Sequence, residues 1–391
     1  MRFRLACLCV ALASPTFADP AKVRVATYNI QELTRTKLDA VDAKGVGTNR
    51  QLRKAAEILQ RLRPDVLLVN EIDYDFPPEG KPDAGAKNAR LFLDRYLKIP
   101  QNGQAALDFD HVFFEPVNTG VPSGKDLNNN GRLGDPEDAF GFGKYPGQYG
   151  MALFSRFPID SNAARTFRLL LWKDVPGHLI PDGQAGRPAF YKADQVAVLR
   201  LSSKSHWDVP VRIGETTVHL LCSHPTPPVF DGPEDRNGRR NHDEIRLWAD
   251  YLAGGKAAEY IRDDSGKTGP LAADAAFVIL GDLNAEPVRG DTVEGKRPIE
   301  LLLKHPRVTD PRPKSEGGVE ADGPDLADYK PYRSHGFGRL DYVLPSKGLK
   351  VLDCGVFWPK KGDPLRPLID PPDEASDHRP VWVDLAVSGG R

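Results

Sequence analysis

Short apolar runs typical of β-strands recur along the chain and are separated by polar, glycine-rich or proline-rich stretches. Helical spacing of apolar positions appears between some of these runs, in 50–62, 86–97 and 241–261. Two mostly antiparallel sheets packed face to face, with helices outside them, would bury strands this apolar. The pattern therefore predicts an α/β (α+β) four-layered sandwich. The predicted strands are 23–30, 65–71, 111–115, 149–154, 195–201, 209–213, 216–222, 276–281, 340–344 and 381–385.

The first 18 residues have the three regions of a secretory signal: basic residues at Arg2 and Arg4, an apolar run over 5–13, and small residues near a cut after Ala18. A membrane anchor is the alternative, but the run is well short of the roughly 20 residues that span a bilayer. We therefore expect a secreted or periplasmic protein. The remainder, 19–391, is predicted to be a single domain with insertions near 117–146, 172–192 and 311–335.

Composition adds two limits to this interpretation. The chain has 53 basic and 54 acidic residues, and removal of Arg2 and Arg4 leaves 51 basic residues, a formal charge of −3. No global positive field favours tight nonspecific binding to DNA, although a nuclease is not excluded. Cys222 and Cys354 remain after signal removal, and the sequence leaves open whether they pair or stay as free thiols.

Polar residues with the chemistry of a metal site stand at the ends of several predicted strands. Asn29 closes the first strand and Glu71 closes the second. A lone acidic residue at a strand end is ordinarily solvated surface. Asp282 and Asn284 follow a buried-type strand at positions i and i+2, which point the same way while the chain stays extended. Such a pair commonly forms only a turn, but it can also fix and polarise a water molecule.

Asp341 interrupts another apolar strand, where an unpaired carboxylate would be costly and a partner is expected. The imidazole of His378 is the most economical partner, oriented and held protonated by that acid. His224, which follows a further strand, adds a second imidazole. Each of these residues has an ordinary structural explanation, but their joint recurrence at strand ends indicates a catalytic site.

The order of these pieces resembles the endonuclease/exonuclease/phosphatase superfamily, the fold of pancreatic-type deoxyribonuclease, abasic-site endonucleases, sphingomyelinases and inositol-polyphosphate 5-phosphatases. The resemblance runs from about Val23 to Leu385. Its most specific part is Gly281-Asp282-Leu283-Asn284 together with Ser376-Asp377-His378.

The resemblance implies a role for each residue. Glu71 would hold a divalent ion, with Asn29 beside it and Asp377 near the metal or its water. Asp282 would orient and deprotonate the attacking water. The remaining roles are phosphate or water binding by Asn284, stabilisation of phosphate oxygens by His378 paired to Asp341, and proton donation to the leaving oxygen by His224.

Oxygen-rich ligands of this kind suit Mg²⁺ or Mn²⁺, and zinc is less favoured although His224 keeps it open. The sequence departs from the family pattern at two places. Cys222 stands where many members have Asn, which leaves the contacts to the leaving group open. Gln31 and Glu32 stand where abasic-site enzymes have an acidic residue, which leaves a second carboxylate at the metal uncertain.

A second metal site is predicted in the insertion 117–146. The segment 126–137 matches the calcium-loop pattern, with glycine at position 6 and an apolar residue at position 8. No convincing helix flanks the loop, and such clusters commonly form plain turns. The predicted ligands are Asp126, Asn128, Asn130, Arg132 through its backbone carbonyl, and Glu137.

The resulting hypothesis is a secreted, divalent-metal-dependent phosphodiesterase, with nucleic acid a plausible substrate and a monomer as the default state. The signature of inositol phosphatases before Leu340 and the exposed aromatic hairpins of sphingomyelinases are not evident, yet a phosphatase or phospholipid diesterase stays an alternative. A non-catalytic, calcium-stabilised binding module is a third. Arg236, Arg239 and Arg240 follow His224 in the sequence and either grip a second phosphate or form a solvated charge cluster.

Overall fold

The structure, a computed structural model, describes residues 21–77, 87–371 and 374–387. The predicted signal, 1–18, lies outside these residues. In the part of the chain that is described, no helix is long and apolar enough to cross a membrane. The strands are β1 Ala21–Leu33, β2 Val66–Ile72, β3 His111–Phe113, β4 Met151–Ser155, β5 Arg165–Thr166, β6 His206–Ile213, β7 Thr216–Ser223, β8 Ala276–Asp282, β9 Asp341–Pro345, β10 Lys350–Val356 and β11 Val381–Val387.

These strands form two sheets, ordered β10-β11-β1-β2-β4-β3 and β5-β6-β7-β8-β9. The pairs β1–β2 and β7–β8 are parallel, and the other strand pairs in the described ranges are antiparallel. The predicted mostly antiparallel arrangement is confirmed. The parallel pairs matter for function because they bring the carboxyl ends of neighbouring strands to the same edge.

Alternation along β8 shows how the layers are built. Val278 and Leu280 face the core shared with the first sheet, whereas Phe277 and Ile279 face a second core that also contains residues of the helix Arg236–Ala253. Side chains in a strand alternate between faces, so one apolar run serves both cores. On the other side of the molecule, the helix Arg50–Leu62 packs its apolar face against the first sheet. The four-layered sandwich is thus confirmed.

Two of the three predicted helices, 50–62 and 86–97, lie close to their predicted bounds, whereas the third, predicted over 241–261, runs over Arg236–Ala253 and is followed by a 3₁₀ turn. The segment 50–62 is helical over its whole predicted length, beginning after Asn49, whose side chain accepts from the Leu52 N–H at 3.1 Å. The helices are α1 Arg35–Asp39, α2 Arg50–Leu62, α3 Asn88–Phe92 continued by a π-helical turn Leu93–Leu97, α4 Ala193–Val196, α5 Arg236–Ala253, α6 Glu300–Leu303 and α7 Glu316–Glu320, with 3₁₀ turns at Pro136–Asp138, Trp172–Asp174, Gly255–Ala258, Ala327–Tyr332 and Arg366–Leu368.

One predicted strand, 195–201, is wrong. Its first residues belong to the short helix α4, where the Gln195 side chain accepts from the Lys192 N–H at 2.6 Å. Leu199 and Leu201 are buried in the second core from an irregular segment. The apolar run therefore predicts the burial of these residues correctly but their backbone conformation wrongly. Periodicity alone cannot distinguish buried irregular segments from strands.

Two strands were missed, β5 and β10. Both lie at the edge of a sheet, where one side has no neighbouring strand. In β10, most residues from Lys350 to Cys354 are exposed or half-buried, so the apolar alternation is weak. Cys354 in β10 and Cys222 in β7 are free thiols, so the structure contains no bridge between them.

Candidate active site

The carboxyl ends of β1, β2, β7 and β8 and the beginning of β9 meet at one edge of the sandwich. Asn29 of β1 is in register with Asn70 of β2, which places Glu71 one residue further along the neighbouring strand. Asp282 of β8 lies opposite Asp341 of β9. The two sheets pack face to face, so residues from both reach the same pocket. The structure brings together the predicted residues Asn29, Glu71, His224, Asp282, Asn284, Asp341, Asp377 and His378.

Asn29 joins the predicted metal ligand to the predicted base. Its Nδ2 donates to Glu71 Oε1 at 3.1 Å and to Asp282 Oδ2 at 3.1 Å. Its Oδ1 accepts from the Gln31 N–H at 3.0 Å, which fixes the orientation of the amide. Because both acceptors lie on one nitrogen, the two carboxylate oxygens are no more than about 6 Å apart. That separation allows one ion and its bound water to contact both groups.

Asp341 and His378 form the predicted pair. His378 Nδ1 lies 2.8 Å from Asp341 Oδ2, and both side chains are buried. Nε2 of the same ring lies 3.6 Å from Asp282 Oδ2. Burial lowers the pKa of His378, but the charges of Asp341 and Asp282 outweigh it and raise that pKa to about 10. The imidazole is therefore a cation at neutral pH.

Ser376 fixes the position of His378 relative to β1. The Ser376 hydroxyl donates to the carbonyl oxygen of Asn29 at 2.6 Å and accepts from the His378 N–H at 3.0 Å. Both bonds are buried. The short motif Ser376-Asp377-His378 is thus tied directly to the strand that carries the bridging amide, although the two lie 347 residues apart in sequence.

Asp282 has the environment of a general base. Its pKa is raised to about 7, because burial, with the Asp341 charge, outweighs the lowering by the His378 cation. The Asn284 N–H donates to Asp282 Oδ1 at 3.0 Å. A carboxylate whose pKa is near neutrality can accept a proton from water more readily than an ordinary aspartate.

Backbone geometry aims two of these side chains into the pocket. Glu71 has φ +66° and Asn284 has φ +51°, both in the left-handed region that ordinary residues avoid. Each such residue costs of order 1–3 kcal/mol and persists where surrounding contacts impose it. The pairing of β1 with β2 also shifts register between Asn29 and Leu33. A bulge of this kind re-aims side chains at a strand end.

Gly281 is required by the same geometry. Its φ is +144°, and a Cβ at this position would overlap the carbonyl oxygen of Ser223 on the neighbouring strand. Glycine therefore allows β7 and β8 to approach closely just before Asp282 and His224. The glycine in the motif Gly281-Asp282-Leu283-Asn284 has this steric function.

The residues present fit a hard divalent cation. In the described ranges, the groups of three acidic or histidine side chains close enough to share an ion are His335–Asp377–His378 and Asp282–Asp341–His378. Because His378 is a cation, the carboxylates of these groups are the candidate ligands. Glu71 is in neither group and reaches the pocket through Asn29. Burial raises the pKa of Asp377, but hydrogen bonding from His335 and the charge of His378 outweigh it and lower that pKa to about 2. Ionised carboxylate and amide oxygens at a half-buried edge are ligands that Mg²⁺ or Mn²⁺ prefers.

His224 lies in the pocket, with Nε2 3.5 Å from Asp282 Oδ2. Its Nδ1 is buried and has no hydrogen-bond partner among the described residues. Burial, with the positive charges of Lys204 and His378, lowers the pKa of His224 well below its usual value. The imidazole is therefore neutral at neutral pH, and this arrangement does not support the predicted role of proton donor as an imidazolium. No acid holds His224 in the way that Asp341 holds His378.

Two residues near this pocket were not recognised from the sequence. His335 Nε2 lies 3.7 Å from Asp377 Oδ2, and its ring centroid is 4.7 Å from that of His378. Lys204 is buried beside the loop after His224, with Nζ 3.5 Å from the Pro225 carbonyl oxygen. His335 lies at the end of a predicted insertion, and Lys204 follows the wrongly predicted strand. Local pattern gives neither residue a distinguishing signal.

The Glu32 side chain does not act as a second carboxylate beside Glu71 at the predicted metal site. Its backbone N–H donates to Glu71 Oε2 at 2.9 Å, while its carboxylate accepts from the Tyr149 hydroxyl at 3.3 Å. Glu32 thus contributes to the position of Glu71 through its backbone. Tyr149 lies two residues before β4, and its hydroxyl contact with Glu32 is consistent with a structural role.

The arginines after His224 are engaged internally. Arg240 donates to the carbonyl oxygens of Leu201 and Arg200 at 2.9 and 2.8 Å. Arg236 pairs with Glu234, and Arg239 Nε lies 3.8 Å from Asp235 Oδ2. These contacts favour the structural explanation of the cluster over a grip on a second phosphate.

The predicted calcium loop is ordered by its own hydrogen bonds. The Asp126 carboxylate accepts from the N–H groups of Asn130 and Gly131 at 3.1 and 2.9 Å. Asn128 Oδ1 also accepts from the Asn130 N–H at 3.0 Å, and Asn130 Oδ1 accepts from the Arg132 N–H at 2.8 Å. The first part of the loop therefore turns sharply around Gly131.

The end of that loop differs from the expected pattern. Glu137, the predicted closing ligand, is exposed in the turn Pro136–Asp138. Its neighbour Asp138 is buried, and its carboxylate accepts from the N–H groups of Leu127 and Gly134 at 2.8 and 2.9 Å. Asp138 thus closes the loop by hydrogen bonds. Calcium binding through Glu137 stays a prediction.

The two-sheet fold, with paired carboxylates and imidazoles at one strand edge, defines a hydrolase of phosphoesters. The model of the Endonuclease/Exonuclease/phosphatase family matches residues 26–378, and the chain belongs to that family. Members of this family are phosphoesterase hydrolases and are generally dependent on a divalent metal. No curated protein matches the chain.

Several solved structures are similar to this chain, and one of them has a TM-score above 0.5. An endonuclease/exonuclease/phosphatase from Beutenbergia cavernae is 18% identical, with a TM-score of 0.51, and the match covers 94% of this chain and 72% of that one. A truncated Caenorhabditis elegans TDP2 is 14% identical over 94% and 98% of the two chains, with a TM-score of 0.42. A mannosyl-6-phosphatase from Bacteroides thetaiotaomicron is 12% identical over 93% and 99%, with a TM-score of 0.41.

Proposed function

We propose that this protein is a secreted, divalent-metal-dependent phosphodiesterase whose substrate class is nucleic acid. The observation that carries the proposal is the bridge from Glu71 through Asn29 to Asp282. The bridge holds the Glu71 carboxylate within about 6 Å of the Asp282 carboxylate, whose pKa is about 7, and this proximity supports a shared position for a metal-bound water. The His378 cation lies beside the same base, with Nε2 3.6 Å from Asp282 Oδ2. This is where negative charge would develop on the phosphate.

The residues divide the reaction between them. Asp282 accepts a proton from the attacking water, which is oriented between the two bridged carboxylates. His378, held by Asp341, donates a charge-assisted hydrogen bond to a non-bridging phosphate oxygen. Asn284, whose Nδ2 donates to the Pro225 carbonyl oxygen at 3.1 Å, presents its amide at the same edge to the phosphate. A bound Mg²⁺ or Mn²⁺ would supply Lewis-acid neutralisation of phosphate charge, with the Glu71 and Asp377 carboxylates as its candidate ligands. Asn29, predicted as a third ligand, turns its NH₂ group to the carboxylates and its Oδ1 to the Gln31 N–H, so it orients Glu71 instead.

Hydrolysis of bis-(p-nitrophenyl) phosphate with Mg²⁺ tests the proposal. We expect the wild-type protein to hydrolyse this diester, and plasmid DNA or RNA, faster than p-nitrophenyl phosphate. Sphingomyelin and inositol phosphates, each with Mg²⁺, Mn²⁺ and Ca²⁺, extend the assay to a phospholipid diesterase and a phosphatase. Faster hydrolysis of the monoester than of the diester would indicate that the protein is a phosphatase and not a diesterase. If the wild type and a His378→Ala variant both hydrolysed the diester only at the background rate, the result would favour a non-catalytic binding module.

Glu71→Gln should weaken metal activation because the amide loses the charge that attracts the ion. We expect the Mg²⁺ concentration for half-maximal activity to rise on the order of tenfold to a hundredfold. Glu215→Gln, in the exposed turn between β6 and β7, is the matched control and should leave it unchanged. An unchanged Mg²⁺ dependence for Glu71→Gln would remove this residue from the metal site. A Mg²⁺ titration of the diesterase rate measures both variants.

The predicted export and the calcium loop add a second part to the proposal. A secreted protein would meet extracellular calcium, which would order the insertion that contains 126–137. We expect calorimetric Ca²⁺ binding by the wild type and a weaker isotherm for Glu137→Gln. An unchanged isotherm would exclude Glu137 as a ligand, and the exposed Glu294→Gln is the control. Mass spectrometry of the exported protein should locate the new N-terminus just after residue 18.

A further inference from the structure

Lys204 is a buried lysine with almost no hydrogen-bond partner. Burial lowers its pKa, and the charges of Glu244, Glu71 and Asp282 act in the opposite direction. The residue is 6% exposed. It lies two residues before β6, and its Nζ approaches the Pro225 carbonyl oxygen at 3.5 Å. In the described ranges, no carboxylate lies within 4.0 Å of this nitrogen. An ammonium group has three N–H donors, so most of its hydrogen-bonding capacity remains for another acceptor.

Lys204 lies next to the residues proposed to bind the substrate phosphate. The first residue of β6, His206, pairs with Ser223 at the end of β7, directly before His224. The Pro225 carbonyl oxygen that Lys204 approaches also accepts from Asn284 Nδ2 at 3.1 Å. Lys204 and the amide proposed to hold the phosphate therefore meet at one backbone oxygen.

A structural role as counter-ion to Glu244 is the competing explanation. The Glu244 carboxylate is fully buried, and it accepts from the Ser203 N–H at 2.7 Å and from the Thr226 N–H at 2.6 Å. Those bonds satisfy both oxygens and hold the segment of Lys204 against the loop after His224. Glu244 thus acts as a positioning residue. In the described ranges the lysine makes no ion pair within 4.0 Å with Glu244, although the Glu244 charge is the strongest of those that raise its pKa, ahead of Glu71 and Asp282 in the pocket.

We propose that Lys204 binds a non-bridging oxygen of the substrate phosphoryl group, beside Asn284 and opposite His378. This inference rests on the proposed function, because it names a further residue that binds the substrate phosphate at that same site. A phosphodiester carries a negative charge that repels an attacking water, and a buried cation offsets it more effectively than a solvated one. Lys204 supplies there the second positive charge that a neutral His224 does not.

Binding of inorganic phosphate tests the assignment without requiring turnover. Calorimetry with and without Mg²⁺ should show that Lys204→Met weakens phosphate binding at least tenfold, while Lys204→Arg stays within a few-fold of wild type. Lys350→Met, at an exposed position of the edge strand β10, should bind as wild type does. Lys204→Gln, which keeps a donor but not the charge, replaces the methionine variant if that variant does not fold.

Kinetics separate this role from a structural one. For diester hydrolysis, kcat/KM of Lys204→Met should fall on the order of a hundredfold, with the Mg²⁺ dependence unchanged. Wild-type affinity for phosphate in Lys204→Met or Lys204→Gln would overturn the assignment, as would a lower melting temperature with no change in phosphate binding. If the wild-type protein hydrolyses no phosphoester, the proposed function fails, while the calorimetry still reports whether Lys204 binds phosphate.

Discussion

Asp282→Asn should lower kcat for diester hydrolysis by about a thousandfold, within the range typical for loss of a general base. The amide keeps the size of the carboxylate and can still accept from Asn29, so the pocket should keep its shape. It cannot accept a proton from water. Steady-state kinetics at saturating Mg²⁺ would measure the loss. Residual activity above a tenth of wild type would contradict the assignment of Asp282 as the base.

The pH profile provides the internal control for this variant. The pKa of Asp282 is raised from 3.8 to about 7, so the base is protonated and inactive below that pH and ionised above it. Wild-type kcat/KM should therefore rise with pH through about 7, and the residual activity of Asp282→Asn should lack this limb. Asp353→Asn, on the exposed edge strand, should keep the wild-type profile. The melting temperature of Asp282→Asn should not fall, because the substitution removes a buried charge.

His378→Ala should lower kcat by about a hundredfold to a thousandfold, because a cation aimed at the developing phosphate charge is lost. The substitution also leaves the buried Asp341 carboxylate without its partner, which costs about 3–5 kcal/mol of folding free energy. Activity must therefore be measured well below the melting temperature of the variant. Wild-type kcat in the folded variant would contradict the role of His378.

Asp341→Asn distinguishes the charge of His378 from its mere presence. Asp341 contributes to raising the pKa of His378 from 6.5 to about 10, so the imidazole stays positive until the pH approaches that value. Removal of the acid should lower this pKa, and the alkaline decline of activity should begin at a lower pH than in wild type. An alkaline limb unchanged by this substitution would mean that His378 does not act as a cation. The pH dependence of kcat from 7 to 10 tests this directly.

The leaving group is where this chain departs most from the predicted mechanism. A neutral His224 with an unpartnered Nδ1 is a poor acid, and Cys222 rather than an amide precedes it by two residues. The positive charges that lower its pKa come from Lys204 and His378. Of the two predicted catalytic imidazoles, His224 and His378, only His378 is therefore a cation.

Much of the fold could be predicted from local pattern. The helix Arg50–Leu62 is predicted with its correct ends because its apolar stripe lies in the local sequence. The buried strands β7 and β8 were also recognised from continuous apolar runs. The edge strands β5 and β10 were missed, since a strand that is paired on one side has less need of apolar residues. The irregular segment that contains Leu199 has the apolar run of a strand because burial, not conformation, selects its residues.

The sequence by itself determined which residues have the chemistry of the site, because Gly281 to Asn284 and Ser376 to His378 are contiguous motifs at strand ends. Only the tertiary structure decided how they act together. Asn29 contacts residues 42 and 253 positions away, and the charge states of Asp282, His224 and His378 depend on burial and on one another. The position of Lys204 beside the pocket is likewise known only from the tertiary structure. Coulomb and desolvation energies depend on distances in space, and those distances are set by how the two sheets pack.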